Sequence, residues 1–240
     1  MTSSKLASCE SVRDTSQRAR PSLDFFCLRW FLSGPLSTQI KVLSSVVDAE
    51  SLQTPYQTDS TSFHPISACP ISDPPVSSIT VTADVLNGWA GDWEDAHHNH
   101  THGRGDFATQ PDGTGLLMRC CGEDRPGPGP SLTVAASRQE FVTIHDFVMA
   151  VHPWLLALEP DIRAAYGVFH SVPLAPEFDI LVHPVGLSPL FLLNSKYAHP
   201  AALEVERRRV AEVVARKLAE KEKKGDEVEG NGMHHHFVYS

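Results

Sequence analysis

The sequence predicts an α+β domain in which a small, largely antiparallel sheet packs against a proline-punctuated helical segment at residues 144–166. Three observations predict this class. Apolar residues recur at helical spacing in that segment, short β-branched runs lie between turn residues, and the apolar residues cluster in the second half of the chain. We therefore expect four regions: a mostly disordered stretch at 1–76, the compact domain at 77–200, a charged amphipathic helix at 201–224 and a disordered tail at 225–240.

The N-terminal region is rich in Ser, Thr and Pro, with apolar islands at Leu23–Leu36 and Ile40–Val47. Residues 51–76 have few apolar side chains to offset the conformational entropy that is lost when a chain becomes ordered. The island that begins at Ile40 would form a strand or a short helix only if another element covered it. We expect most of this region to be flexible.

Order is predicted to begin near Ser77. The run SSITVT alternates like a short strand, and Thr82 is placed to cap the helix ADVLNGWAGDWEDA, which Gly88 and Gly91 weaken. The polar stretch HHNHTHGRGDFATQPDGTG follows as a predicted loop. GLLMRCC and LTVAA are predicted strands, separated by the rigid turn EDRPGPGP.

The central segment FVTIHDFVMAVHPWLLALEPDIRAAYG has one apolar stripe about 100° wide on a helical wheel. Thr143 and Asp146 have the spacing of a capping box at its start, and Gly167 is placed to end it. Pro153 and Pro160 each remove an amide donor, so we expect about two turns of helix and then further turns that restart at the prolines. The stripe consists of Ile144, Phe147, Val148, Val151, Leu155, Leu158, Ile162, Ala165 and Tyr166.

The C-terminal third is predicted to contain two more strands and a helix. FDILVHPV and LFLLN are the strands, joined by a turn at 186–189. From residue 201 the chain has apolar residues at heptad-like spacing and charge pairs four residues apart, such as Glu204 and Arg208. This pattern is typical of a solvated helix docked by one edge. It also allows a monomer or a weak homodimer through this helix.

Composition excludes several classes of protein. The formal net charge of −9 argues against a nucleic-acid partner, which needs a basic face. No run reaches the roughly 18 apolar residues that a membrane helix requires. The 5 cysteines are odd in number and scattered, which favours reduced thiols and a cytoplasmic or nuclear location. We expect the adjacent Cys120 and Cys121 to serve as small buried apolar side chains.

Several segments resemble a family of uncharacterised proteins from filamentous fungi. They are SITVTADVL, LLMRCC, LTV, FVTIHDFVMAVHPWLLALEPDI and the later apolar strand pair, and TIHDFVMAVHPWL followed by DIRAA carries most of the likeness. The resemblance covers about residues 78–200. It implies an intracellular domain and brings no activity or catalytic residue that can be transferred.

A histidine cluster is the main candidate for chemistry: His97, His98, His100 and His102, with acidic residues nearby. Imidazole and carboxylate groups suit zinc, nickel or copper, although a zinc site usually draws its ligands from separate elements. A flexible His-rich loop is the competing interpretation.

The sequence lacks the motifs of common catalytic sites, among them HExxH, GxSxG, GxxxxGK[ST] and GxGxxG. We therefore expect a non-enzymatic intracellular scaffold or protein-interaction domain, with no cofactor. The alternative is a metal-binding or metal-dependent protein that uses His97–His102, with Zn as the metal.

Overall fold

A computed structural model describes residues 6–13, 19–45, 51–100 and 105–194, together with helical positions 212, 214–216 and 218–219. In chain order its strands are β1 (Arg20–Pro21), β2 (Leu28–Phe31), β3 (Ile40–Leu43), β4 (Gln53–Pro55), β5 (Ser72–Asp73), β6 (Ser78–Val81), β7 (Asp106–Thr109), β8 (Gly115–Cys120), β9 (Glu123–Asp124), β10 (Leu132–Ala135), β11 (Ile180–His183) and β12 (Phe191–Asn194). The α-helices are α1 (Cys9–Arg13), α2 (Leu23–Phe26), α3 (Leu36–Gln39), α4 (Asp84–His97), α5 (Ile144–Ala157) and α6 (Glu159–His170), and short 3₁₀ turns occur at Pro65–Ala68 and His98–His100.

The strands pair in antiparallel fashion. Within the described ranges, the largest sheet has five strands in the order β12-β11-β2-β3-β4, a second joins β6 to β10, and a third runs β7-β8-β9. β1 and β5 form a further short pair. Helices and antiparallel sheets thus coexist, which confirms the predicted α+β class.

Helix α5 packs against the five-stranded sheet. The ring of Phe147 meets those of Phe25 and Trp30 edge-on, at centroid distances of 5.7 and 6.5 Å. In β2 and β3 every second residue is buried, as expected for strands with one face on a core. The apolar stripe predicted for the central segment is buried throughout except at Leu158, which is partly exposed.

The prediction that residues 1–76 are mostly disordered is wrong for the described residues of that region. β2 lies between β11 and β3 in the largest sheet, so the domain does not begin at residue 77. Trp30, Ile40 and Tyr56 are each at most 1% exposed and belong to the main core. The short apolar islands become ordered because β11 pairs with β2 and helix α5 packs against the same sheet.

The central segment forms two helices, and its capping box is confirmed. The Thr143 hydroxyl accepts the Asp146 amide proton while the Asp146 carboxylate accepts that of Thr143. The predicted interruption at Pro153 is wrong, because α5 runs through this residue. Pro153 cannot donate a hydrogen bond to the Met149 carbonyl, but both residues are exposed, so water can donate to that carbonyl instead. Pro160 lies in the first turn of α6, where its missing amide costs little.

Two predicted helix ends differ from those observed. Gly167 lies inside α6, which ends at His170 and is capped by Ser171 with φ of 56°. Ala83 rather than Thr82 occupies the cap position of α4, while the Thr82 hydroxyl accepts a hydrogen bond from the Asn87 side chain. The strands predicted for SSITVT, GLLMRCC, LTVAA, FDILVHPV and LFLLN are confirmed, with observed bounds at 78–81, 115–120, 132–135, 180–183 and 191–194.

The C-terminal helix predicted at 201–224 is described only in part. Positions 212, 214–216 and 218–219 are helical, with Val214 buried and Leu218 43% exposed. The predicted tail at 225–240 lies outside the described residues. Among the helices that the structure describes, none combines the length and the apolar character needed to cross a membrane.

Candidate metal centre

The end of α4 anchors the candidate centre. Trp93 and His97, four residues apart on one helical face, are 2% and 9% exposed, and their rings lie in contact at a centroid distance of 4.4 Å, tilted by 31°. His97 Nδ1 lies 2.7 Å from the Trp93 carbonyl oxygen. Because a carbonyl can only accept, Nδ1 donates its proton there and Nε2 keeps the lone pair that binds metals. The helix therefore fixes both the orientation and the tautomer of His97.

The 3₁₀ turn that follows α4 brings a second imidazole back toward the first. His100 is exposed, and its ring meets that of His97 edge-on at 5.6 Å and 85°. Two residues separate the two histidines, which is enough for one tight turn to place both rings on one side of the chain.

The turn between β8 and β9 supplies the thiols. Cys120 pairs with Glu123 across the hairpin, so Cys121 and Gly122 form a two-residue loop with φ of 54° and 87°. Positive φ at both positions defines the type I′ turn, which favours Asn-Gly over a residue such as cysteine. Cysteine at this position costs on the order of 1 kcal/mol. A strained turn residue is a mark of functional sites.

This turn directs two thiols toward the same imidazole. The Sγ atoms of Cys121 and Cys120 lie 3.2 and 3.9 Å from His100 Nδ1, and 3.8 Å from each other. Cys120 is also part of a small core with Trp93 and Leu117, separate from the main one. That core holds the end of α4 and the hairpin together.

The donor atoms are close enough to share one ion. One ligand atom each from His97, His100 and Cys121 lies within 4.8 Å of the other two. Tetrahedral zinc with bonds of about 2.0 Å to nitrogen and 2.3 Å to sulfur places such ligand atoms about 3.3–3.5 Å apart, so the widest separation would have to contract by at most about 1.5 Å. Two imidazoles and a thiolate are a donor set suited to zinc.

Two further groups lie near the cluster. Glu123 Oε2 is 4.0 Å from His97 Nε2, and its side chain is 67% exposed. The pKa of the Cys120 thiol is raised, first by desolvation of its buried side chain and then by the neighbouring Cys121 thiol. Cys120 is thus protonated at neutral pH in the metal-free protein. Neither group belongs to the set of three donors whose ligand atoms all lie within 4.8 Å of one another.

The four predicted ligands do not all meet. His97 and His100 converge, whereas His98 is exposed and bonds instead to the Asp95 carbonyl, at 2.6 Å from Nδ1. His102 lies outside the described residues. The predicted loop is also partly structured, since α4 extends to His97 and β7 begins at Asp106.

Sequence reasoning missed Cys121, because it treated Cys120 and Cys121 as buried apolar side chains. Cys120 is buried, but Cys121 is exposed. Two signals were available: a zinc site takes ligands from separate elements, and Cys121-Gly122 occupies the centre of a hairpin where Asn-Gly is usual.

A cleft of about 670 Å³ adjoins the cluster. It lies between α4, α6 and the segment that follows β9, and both His97 and Glu123 line it.

Comparison with known proteins yields no relative: no protein-family model matches the chain, and no curated protein or solved structure is significantly similar to it.

Proposed function

We propose that this chain binds Zn²⁺ through His97, His100 and Cys121. The observation that carries the proposal is the convergence of these donors from two separate elements, α4 with its 3₁₀ extension and the β8–β9 hairpin. The hydrogen bond from His97 Nδ1 to the Trp93 carbonyl supports it, because metal-bound histidines usually donate their other ring proton in this way.

The strained turn adds an energetic argument. A cysteine at φ of 54° destabilises the hairpin relative to asparagine, and metal coordination would offset that cost. Coordination also deprotonates the thiol, so zinc affinity should fall as pH falls.

The test is a calorimetric titration of the full chain with zinc, in a background in which His234, His235 and His236 are replaced by alanine. We expect one zinc per chain with micromolar affinity or tighter. Cys121→Asn should weaken zinc binding at least about tenfold. Loss of a residue that only supports a ligand already costs about 10–100-fold in affinity, and loss of a ligand should cost at least as much. His98→Ala is the matched control and should retain wild-type affinity.

The same variant separates a ligand from a structural cysteine. In metal-free protein, Cys121→Asn should be as stable as the wild type or more so, because asparagine tolerates the left-handed conformation. Loss of stability without loss of zinc affinity would refute the proposal.

The scaffold or protein-interaction function, the cytoplasmic or nuclear location and the fungal family remain predictions. The predicted dimer contact lies on a helix that is described only at positions 212, 214–216 and 218–219. The mass of the full chain in solution would test it.

A further inference from the structure

The two thiols of the β8–β9 turn lie next to each other. In a regular strand, neighbouring side chains point to opposite faces, and two adjacent cysteines would hold their thiols apart. The left-handed conformation of Cys121, with φ of 54°, breaks that alternation, and the Sγ atoms of Cys120 and Cys121 lie 3.8 Å apart. The two sulfur atoms are therefore in contact before any bond forms between them.

The two cysteines differ in their access to solvent. Cys121 is exposed, whereas Cys120 is 1% exposed and packs with Trp93 and Leu117 in the small core. A dissolved oxidant therefore reaches Cys121 first, and Cys120 is then the adjacent thiol. An accessible cysteine beside a second thiol that can react with its oxidised form is typical of redox-sensitive sites.

A disulfide between these two residues would be strained. The peptide bond between them is trans, which places their Cα atoms about 3.8 Å apart, below the range of about 4.4–6.8 Å that is usual for disulfides. Strained disulfides are more easily reduced than structural ones, and they are the labile or regulatory class. The geometry thus favours a bond that forms under oxidising conditions and that a thiol reductant reverses.

We propose that a peroxide converts Cys120 and Cys121 into a reversible disulfide, and that this bond removes Cys121 from the metal site. The Cys121 sulfur attacks one oxygen of hydrogen peroxide, the O–O bond breaks, and the other oxygen leaves as water with the thiol proton. The Cys120 sulfur then displaces the hydroxyl of the resulting sulfenic acid, which leaves as a second water with the Cys120 proton. Two thiols are thereby oxidised to one disulfide, and the peroxide is reduced to water.

The loss of the metal rests on the proposed zinc function, whereas the disulfide does not. A thiolate is the form of cysteine that binds zinc, and a disulfide sulfur lacks that negative charge. Oxidation would leave His97 and His100 without the third donor of the set.

Peptide mapping tests the disulfide. The full chain in the same triple-alanine background is freed of metal with EDTA, treated with hydrogen peroxide, alkylated with iodoacetamide in denaturant and digested with trypsin. Cleavage after Arg119 and Arg138 gives a peptide, 120–138, whose only cysteines are Cys120 and Cys121. We expect this peptide without alkylation and about 2 Da lighter than its dithiol form, because the disulfide has lost two hydrogens. Treatment with glutathione before alkylation should restore the alkylated dithiol.

Two variants separate this pair from the other cysteines. Cys120→Ser leaves Cys121 without its partner, so dimedone should trap the sulfenic acid on Cys121. Cys69→Ser is the matched control, because Cys69 is partly exposed but lies outside the turn, and this variant should form the disulfide to the same extent as the wild type. Alkylation of both thiols after peroxide treatment, or a disulfide that joins Cys121 to a second chain, would overturn the proposal.

Zinc titration of the oxidised protein tests the effect on the metal. Oxidation should weaken zinc binding at least about tenfold, as expected for loss of a ligand, and reduction should restore it. A disulfide that leaves zinc affinity unchanged would refute both this regulation and the assignment of Cys121 as a ligand. Absence of zinc binding by the reduced protein would refute the proposed function and the loss of metal, but not the disulfide.

Discussion

Acidification should destabilise the fold through one buried histidine, His152 of α5. Its side chain lies between two fixed partners: the Trp30 indole nitrogen donates to Nδ1 at 3.0 Å, and Nε2 donates to the Gly34 carbonyl oxygen at 2.9 Å. His152 is 3% exposed and Trp30 1% exposed. Protonation of Nδ1 would place two hydrogen-bond donors against each other at a buried position.

The direction of the pH dependence follows from the pKa. Burial lowers the pKa of His152 below its ordinary value of 6.5, although the hydrogen bond to Gly34 opposes part of this effect. Folding therefore favours the neutral ring, and below pH 6.5 the unfolded chain binds more protons than the folded one. Stability is lost as pH falls from 6.5 towards the folded-state pKa, by at most about 1.4 kcal/mol for each pH unit.

Urea unfolding at pH 7.5 and 5.5, in EDTA to exclude metal effects, measures this loss. The comparison is with His152→Gln, whose amide can accept from Trp30 and donate to Gly34 but does not titrate. Between these two pH values the wild type should lose up to about 1.4 kcal/mol more than the variant, because all other titrating groups are common to both. Equal losses in the two proteins would refute the role assigned to His152.

Two further predictions concern α5. Leu155→Ala should lower the free energy of unfolding by about 2 to 5 kcal/mol, because Leu155 is fully buried. Leu158→Ala should cost less, because Leu158 is partly exposed. Equal costs in urea unfolding would contradict the observed packing. Thr143→Ala should cost about 1 kcal/mol, because it removes the hydroxyl that caps the helix. Thr143→Ser keeps that hydroxyl, and a thermal melt showing no recovery with serine would argue against the cap.

Features set by neighbours along the chain were predicted correctly from the sequence. The apolar stripe from Ile144 to Tyr166 identifies the buried face of α5 and α6, because helical periodicity is a local property. The capping box at Thr143 is likewise local, since its hydrogen bonds span three residues. The expectation that proline interrupts a helix gave a wrong prediction at Pro153, because this exposed position tolerates the missing hydrogen bond.

Contacts between distant segments could not be predicted in this way. β2 buries Leu28 and Trp30 only because β11, some 150 residues later in the chain, pairs with it and α5 covers its face. A strand of four residues cannot bury its own surface, so it becomes ordered only when other segments pack against it, and its own sequence does not identify those segments.

The candidate centre depends on the same kind of information. The sequence indicated His97, His98, His100 and His102 as possible ligands, but it indicated neither which of them converge nor the thiol opposite them. Only the fold brings the β8–β9 hairpin against the end of α4, and only the positive φ of Cys121 turns its thiol to within 3.2 Å of His100. The sequence shows which residues have side chains that can bind a metal, but tertiary packing decides which of them converge. The reason is that a metal ion needs its ligand atoms within a few ångströms of one another, however far apart the residues lie along the chain.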